Sequence, residues 1–195
     1  EASPIRLLVV ESKLNLAKRE WAAKQRQLAE QADALATQTR SLQKDAERAK
    51  VTTRNSPKQN RDEADTDAAL SKLKQDLKTS QERADDLWNQ VKETARQAPD
   101  RLASQEVNLA GRLLVELRGD HLREAIQQAQ AEQTDPRQLK ESVSQAAAKS
   151  RSLADALRVF AAEQTAQAVQ ENLEHLAPQQ NRLADKAIES NRDRD

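Results

Sequence analysis

The chain has 195 residues with 32 basic and 32 acidic side chains, and only 36% of its residues are hydrophobic. It contains no Cys, which excludes disulfides, thiolate metal sites and thiol nucleophiles, and it contains no Met. The balanced charge, the abundance of Ala, Leu, Gln, Glu, Lys and Arg, and the presence of only two Gly favour ordered helix over disorder. Because large apolar side chains are few, we expect a thin core made of seams between helices.

Five prolines divide the chain into helix-compatible runs. A proline is accepted in the first turn of a helix and disrupts its interior, so we expect each of them at a helix start. They are Pro4, Pro57, Pro99, Pro136 and Pro178, and three of them follow a capping residue: Ser3, Ser56 and Asp135. The predicted helices span residues 4–53, 57–98, 99–134, 136–176 and 178–191.

Short connections between long helices favour antiparallel neighbours. We therefore predict an all-α fold: an elongated antiparallel helical bundle, or a coiled-coil hairpin, of four long helices plus a short C-terminal helix. Residues 1–98 are expected to form a long coiled-coil hairpin. Residues 99–195 would form a bundle segment that packs on the hairpin or continues it, and the alternative is a single domain. Residues 52–67 have almost nothing apolar, and we expect them to form either an exposed loop or a frayed helix tip.

The first predicted helix carries a strict seven-residue apolar repeat, which is typical of a stripe held against a supercoiled partner. This repeat consists of Leu7, Leu14, Trp21, Leu28, Leu35, Leu42 and Ala49. The second core column is weaker and has two candidates, one through Val10, Ala17, Lys24, Gln31 and Gln38, the other through Glu11, Lys18, Gln25, Ala32, Thr39 and Ala46. Because such a seam is narrow, we expect part of the leucine column to stay exposed after one helix has packed on it. The column could then bind more than one partner, including a second copy of the chain.

The later helices show the same spacing. The second has one column at Leu70, Leu77, Ala84, Val91 and Ala98 and another at Leu73, Ser80, Leu87 and Thr94. The fourth has Leu139, Val143, Ala146, Ser150, Leu153, Leu157 and Phe160, followed by Val169, Leu173 and Leu176 in a different phase. The change of phase predicts that this helix changes partner or bends.

The third helix is the most apolar part of the chain. Residues 107–117 are apolar around most of the helix circumference, which predicts a position inside the bundle with neighbours on several sides. After Gly119 the apolar residues are about one position out of phase with Leu113 and Leu117. We therefore predict a kink or break near Gly119, with Asp120 capping a restarted helix.

No constellation of catalytic residues is recognisable. The two histidines, His121 and His175, are far apart, and the chain lacks both a Gly-rich phosphate loop and a nucleophile elbow. We therefore expect no enzyme activity, no catalytic residue, no metal and no cofactor. The charge pattern does not resemble a phosphate-binding stripe, and no segment approaches ~18 consecutive apolar residues, so neither nucleic-acid binding nor a membrane span is expected.

The leading functional hypothesis is a structural or interaction module, a helical scaffold or spacer that contacts protein partners through its seams. The alternative is an extracytoplasmic sensor domain that binds a small ligand between long helices. The residues of the candidate interaction surface are Trp88, Arg112, Arg118 and His121. The compartment is not determined by the sequence, and the absence of Met leads us to expect a processed or excised region of a longer protein.

Overall fold

The computed structural model of the protein describes residues 13–48, 59–98, 101–131 and 135–192. The described residues are helical and contain no strand, which confirms the all-α fold class. The helices are α1 (Lys13–Arg48), α2 (Gln59–Arg96), α3 (Arg101–Glu116), α4 (Arg123–Gln130) and α5 (Pro136–Arg192), and a π-helical turn (Leu117–Leu122) joins α3 to α4. The predicted helix starts at Pro4, Pro57 and Pro99 lie outside the described residues, as do Leu7 and Ala49.

Helix α1 packs on both α5 and α2, and its most extensive interface is with α5. The two helices are antiparallel, because Lys140 Nζ lies 3.6 Å from Glu47 whereas Arg158, further along α5, lies 2.6 Å from Asp33. Helix α3 packs on α2, and both α4 and the π-helical turn contact α2 and α5. The division of the chain into domains at residue 98 stays a prediction.

The apolar repeat of α1 is buried where the structure describes its side chains, from Trp21 to Leu42. Of the two candidates for the second column, the one through Gln25 is confirmed: Gln25, Ala32, Thr39 and Ala46 are all buried, while Lys24 is exposed. Both predicted columns of α2 and the first column of α5 also lie in or against the core. From Trp21 to Leu42 the leucine column of α1 therefore packs within the chain and is not the exposed surface that the sequence suggested.

Small polar side chains in these seams are satisfied by their own helix. The hydroxyls of Thr39, Ser80 and Ser150 donate to carbonyl oxygens four residues earlier, at 3.1, 3.0 and 2.8 Å. Gln25 differs, because its side chain is 0% exposed and neither its Oε1 nor its Nε2 has a hydrogen-bond partner within the described ranges. A buried amide without partners costs more free energy than a hydroxyl that bonds back to its helix.

The start of α5 has the expected cap. The backbone N–H of Arg137 donates to Asp135 Oδ1 at 2.8 Å, and Pro136 is the first helical residue. The predicted break at Pro178, however, is wrong, because α5 continues through this proline to Arg192. A proline removes one helical hydrogen bond, and the helix-favouring residues on both sides keep the backbone helical around that single loss. The separate closing helix predicted after Pro178 is therefore the end of α5.

We predicted a kink or break near Gly119; the break is wrong, because the chain stays helical there, but the helix is irregular at this position and the phase change is real. Buried positions along α3 and α4 are spaced by three or four residues, except for five residues between Leu117 and Leu122. The π-helical turn takes up this extra residue and the backbone stays helical, with Leu122 at φ −68° and ψ −41°. Asp120 consequently does not act as a side-chain cap for α4.

The two glycines respond differently to an added methyl group. A Cβ at Gly119 would have no heavy atom within 4 Å, whereas a Cβ at Gly111 would lie 3.1 Å from Trp88 Cζ3. Since Ala is favoured over Gly in helices, we expect Gly119→Ala to raise the free energy of unfolding by about 0.5–1 kcal/mol. Gly111→Ala should gain clearly less, because Trp88 must shift. Urea unfolding of both variants measures the difference, and equal gains would contradict it.

Candidate interaction surfaces

The phase change in α5 produces an exposed apolar surface. Among the side chains of α5 that the structure describes, none beyond Ala161 is buried, and four large apolar ones are about half-exposed: Val169 at 52%, Leu173 at 62%, Leu176 at 45% and Leu183 at 44%. We define the α5 stripe as seven exposed apolar residues of this helix: Val159, Ala162, Ala166, Val169, Leu173, Leu176 and Leu183. From Val159 to Leu176 its spacing alternates between three and four residues, as in a coiled-coil seam, and Leu183 follows one heptad later, with Gln180 at the seam position between them. The second-phase residues therefore have no apolar cover among the described residues.

The α5 stripe borders a shallow groove that runs between α5 and α1. The groove has a volume of about 630 Å³, and its lining is apolar apart from Arg26, Thr165 and Gln170. From Val159 to Leu183 the stripe extends over ~36 Å of helix. This geometry suits a further helix that would lie lengthwise beside α5.

A second surface lies between α2 and α3, and we name it the α2–α3 groove. Trp88 and Val91 of α2 face Val107, Gly111 and Val115 of α3 across a groove of about 740 Å³. Val91 and Val107 are buried at its floor, and Val115 is 50% exposed on its wall. The absence of a Cβ at Gly111 lets the Trp88 ring approach α3 closely.

Basic side chains surround this apolar floor. Lys92, Arg96 and Arg112 line the α2–α3 groove, and Glu116 is its acidic residue. Arg96 lies 3.5 Å from Glu93, whereas Lys92 and Arg112 have no ion pair among the residues that the structure describes. Glu116 is ion-paired with Lys149. Two cations are thus available at the rim of an apolar surface.

The Glu116–Lys149 pair is sensitive to acid. The hydrogen bond and the positive charge from Lys149 hold the pKa of Glu116 below its ordinary value of 4.5. Since the folded-state pKa is the lower one, the pair favours the folded state above about pH 4.5 and loses this contribution as the pH falls through the folded-state pKa. The carboxylate is exposed, so the contribution is small.

Of the four residues that the sequence analysis singled out, the structure brings three together. Trp88 and Arg112 line the α2–α3 groove, and the Arg118 guanidinium lies 5.8 Å from the centroid of the Trp88 ring and is paired with Asp85. His121 does not line the groove. It is half-buried, and its Nδ1 has no hydrogen-bond partner in the described part of the chain.

The expected interior position of the third helix is wrong for one of its faces. Leu109 is 48% exposed and Val115 is 50% exposed, because α3 is covered by α2 and α5 on one side only. Sequence reasoning therefore missed Val115 as a surface residue, and it missed Lys92, which lies one position beyond Val91 of the α2 seam. The sequence did hold a signal for Lys92 as a surface residue near Trp88. Lys92 directly follows Val91 of the seam and lies one helical turn after Trp88.

Within the described ranges, no three His, Asp or Glu side chains are grouped as metal ligands would be, and no helix is long and apolar enough to cross a membrane. No protein-family model, curated protein or solved structure matches this chain.

Proposed function

We propose that this protein is a non-catalytic helical interaction module and that its α5 stripe pairs with the α5 stripe of a second copy of the chain. The observation that carries the proposal is the row of half-exposed Val and Leu side chains at coiled-coil spacing on α5. Separate apolar residues on a surface are ordinary, but a contiguous apolar row marks an interaction site.

The residues beside the stripe support a second copy as the partner. Positions that flank the seam are mostly uncharged, including Thr165, Gln170, Asn172 and Ala177. Two identical helices therefore meet without rows of like charge, which would otherwise oppose their pairing. The whole chain also has a formal net charge of zero, so long-range repulsion between copies is weak.

Sedimentation of the purified chain over a range of concentrations tests this proposal. We expect reversible self-association of the wild type, and we expect the double variant Leu173→Lys/Leu176→Lys to weaken it by about a hundredfold or more, since two leucines per chain leave the interface. Both leucines are exposed, so the helix content measured by circular dichroism should not change.

The matched control is Leu109→Lys/Val115→Lys on α3. It makes the same change in charge at two half-exposed apolar residues outside the α5 stripe, and it should associate like the wild type. A wild type that sediments as a monomer at every concentration would refute the proposal. Equal weakening by the control would show that the interface is not the α5 stripe.

A further inference from the structure

The α2–α3 groove is separate from the α5 stripe and has the chemistry of a small-molecule site. We propose that it binds an organic anion with an apolar body, of the class of long-chain or polycyclic carboxylates. The apolar body would lie against the Trp88 ring, Ala95 and Val115, and the carboxylate would lie at the rim near Arg112 and Lys92.

The size of the groove supports a small ligand. Its volume of about 740 Å³ lies within the range of about 300–1,000 Å³ that is usual for small-molecule sites. Trp88, Ala95 and Val115 supply accessible apolar surface, and six of the twelve lining residues carry polar or charged side chains that can contact the polar end of a ligand. A filled seam between α2 and α3 would have left no such space.

The charged side chains at the groove favour a negatively charged ligand. Lys92 and Arg112 have no acidic partner in the described ranges, and Glu116 is already paired with Lys149. A cationic ligand would meet unpaired like charges, and a neutral ligand would leave both cations without a counter-ion. An anion gains a charge-assisted hydrogen bond from Arg112 or Lys92 while its apolar part leaves water.

Trp88 makes the site observable. The chain has two tryptophans, and Trp21 is buried in the α1 seam, so the variant Trp21→Phe leaves Trp88 as the single emitter. The probe is 1-pyrenebutyrate, which has a polycyclic body and one carboxylate, and its neutral analogue is 1-pyrenebutanol. We expect saturable energy transfer from Trp88 to pyrenebutyrate in a Trp21→Phe protein whose helix content and cooperative unfolding are retained. Pyrenebutanol should bind about fivefold or more weakly.

Two matched pairs of variants in the same background locate the binding. Arg112→Gln should weaken pyrenebutyrate about threefold to fivefold, while Arg123→Gln, which removes an exposed arginine on α4, should not. Val115→Glu should abolish saturable transfer, because it places a negative charge on the wall, while Leu109→Glu on the same helix should leave it intact. Equal binding of acid and alcohol, or equal effects within either pair, would overturn the assignment.

Discussion

Deletion of Gly119 should leave the protein folded, with a free energy of unfolding within about 1 kcal/mol of the wild type or slightly above it. Buried positions on α3 and α4 are spaced by three or four residues except across the π-helical turn, where Leu117 and Leu122 are five apart. Removing one residue makes that spacing four. The turn can then become regular α-helix while Leu122 and Ala125 keep their places in the core.

Deletion of Glu82 should have the opposite result. Glu82 is exposed, but it lies in the middle of a regular seam in which Leu73, Leu77, Ser80, Ala84 and Leu87 are buried. Its removal rotates the two halves of α2 by ~100° relative to each other, so one set of buried leucines must leave the core. We expect a loss of at least about 4 kcal/mol, a large part of the stability of an ordinary domain.

Urea unfolding followed by circular dichroism compares the two deletions directly. Each deletion removes one exposed residue from a helix. They differ because the buried positions are one residue further apart than usual around Gly119 and are regularly spaced around Glu82. If loss of Gly119 proved as damaging as loss of Glu82, the π-helical turn would not be an accommodated insertion, and the explanation of the phase change would be wrong.

Replacement of Gln25 by Leu should stabilise the protein by about 1–3 kcal/mol, the cost of burying polar groups without hydrogen bonds. Gln25 is 0% exposed, and both of its side-chain polar atoms lack partners within the described residues. Leucine has a similar volume, suits the buried column that continues through Ala32 and Thr39, and brings no polar group into the seam.

The matched control for this substitution is Gln43→Leu. The Nε2 of Gln43, on the same helix, donates to Ser144 Oγ of α5 at 3.3 Å, so the same change removes a hydrogen bond between helices and should not stabilise. Midpoints and slopes of urea unfolding give both values. A Gln25→Leu protein that unfolds at lower urea than the wild type would mean that the buried amide does have partners in the folded protein.

The sequence was sufficient to predict features that depend only on residue spacing or on neighbouring residues. Residue spacing at three and four positions specifies which side of a helix is apolar, and so Leu28, Leu35, Leu77 and Leu153 could be assigned to the core without coordinates. The cap at Asp135 could also be predicted, because it depends only on neighbouring residues. The one-residue phase change after Leu117 was visible as well, although the π-helical turn that absorbs it was not.

The candidate surfaces were harder to predict, because an apolar stripe does not reveal whether a neighbour covers it. The described part of the α1 leucine column and the α5 stripe both follow a seven-residue repeat, yet the first is buried against other helices and the second is exposed. The groove beside Trp88 is lined by Lys92 of α2 and by Gly111 and Arg112 of α3. These residues line one groove only because the two helices pack against each other.

The sequence by itself determined that this protein is helical, where its seams lie and which residue types are unavailable for chemistry, because these follow from composition and from the helical period. Only the tertiary structure decided which seams find partners within the chain, that α5 runs through Pro178, and where cations remain unpaired over apolar surface. Those features depend on contacts between residues distant in sequence, and helical periodicity carries no information about such contacts.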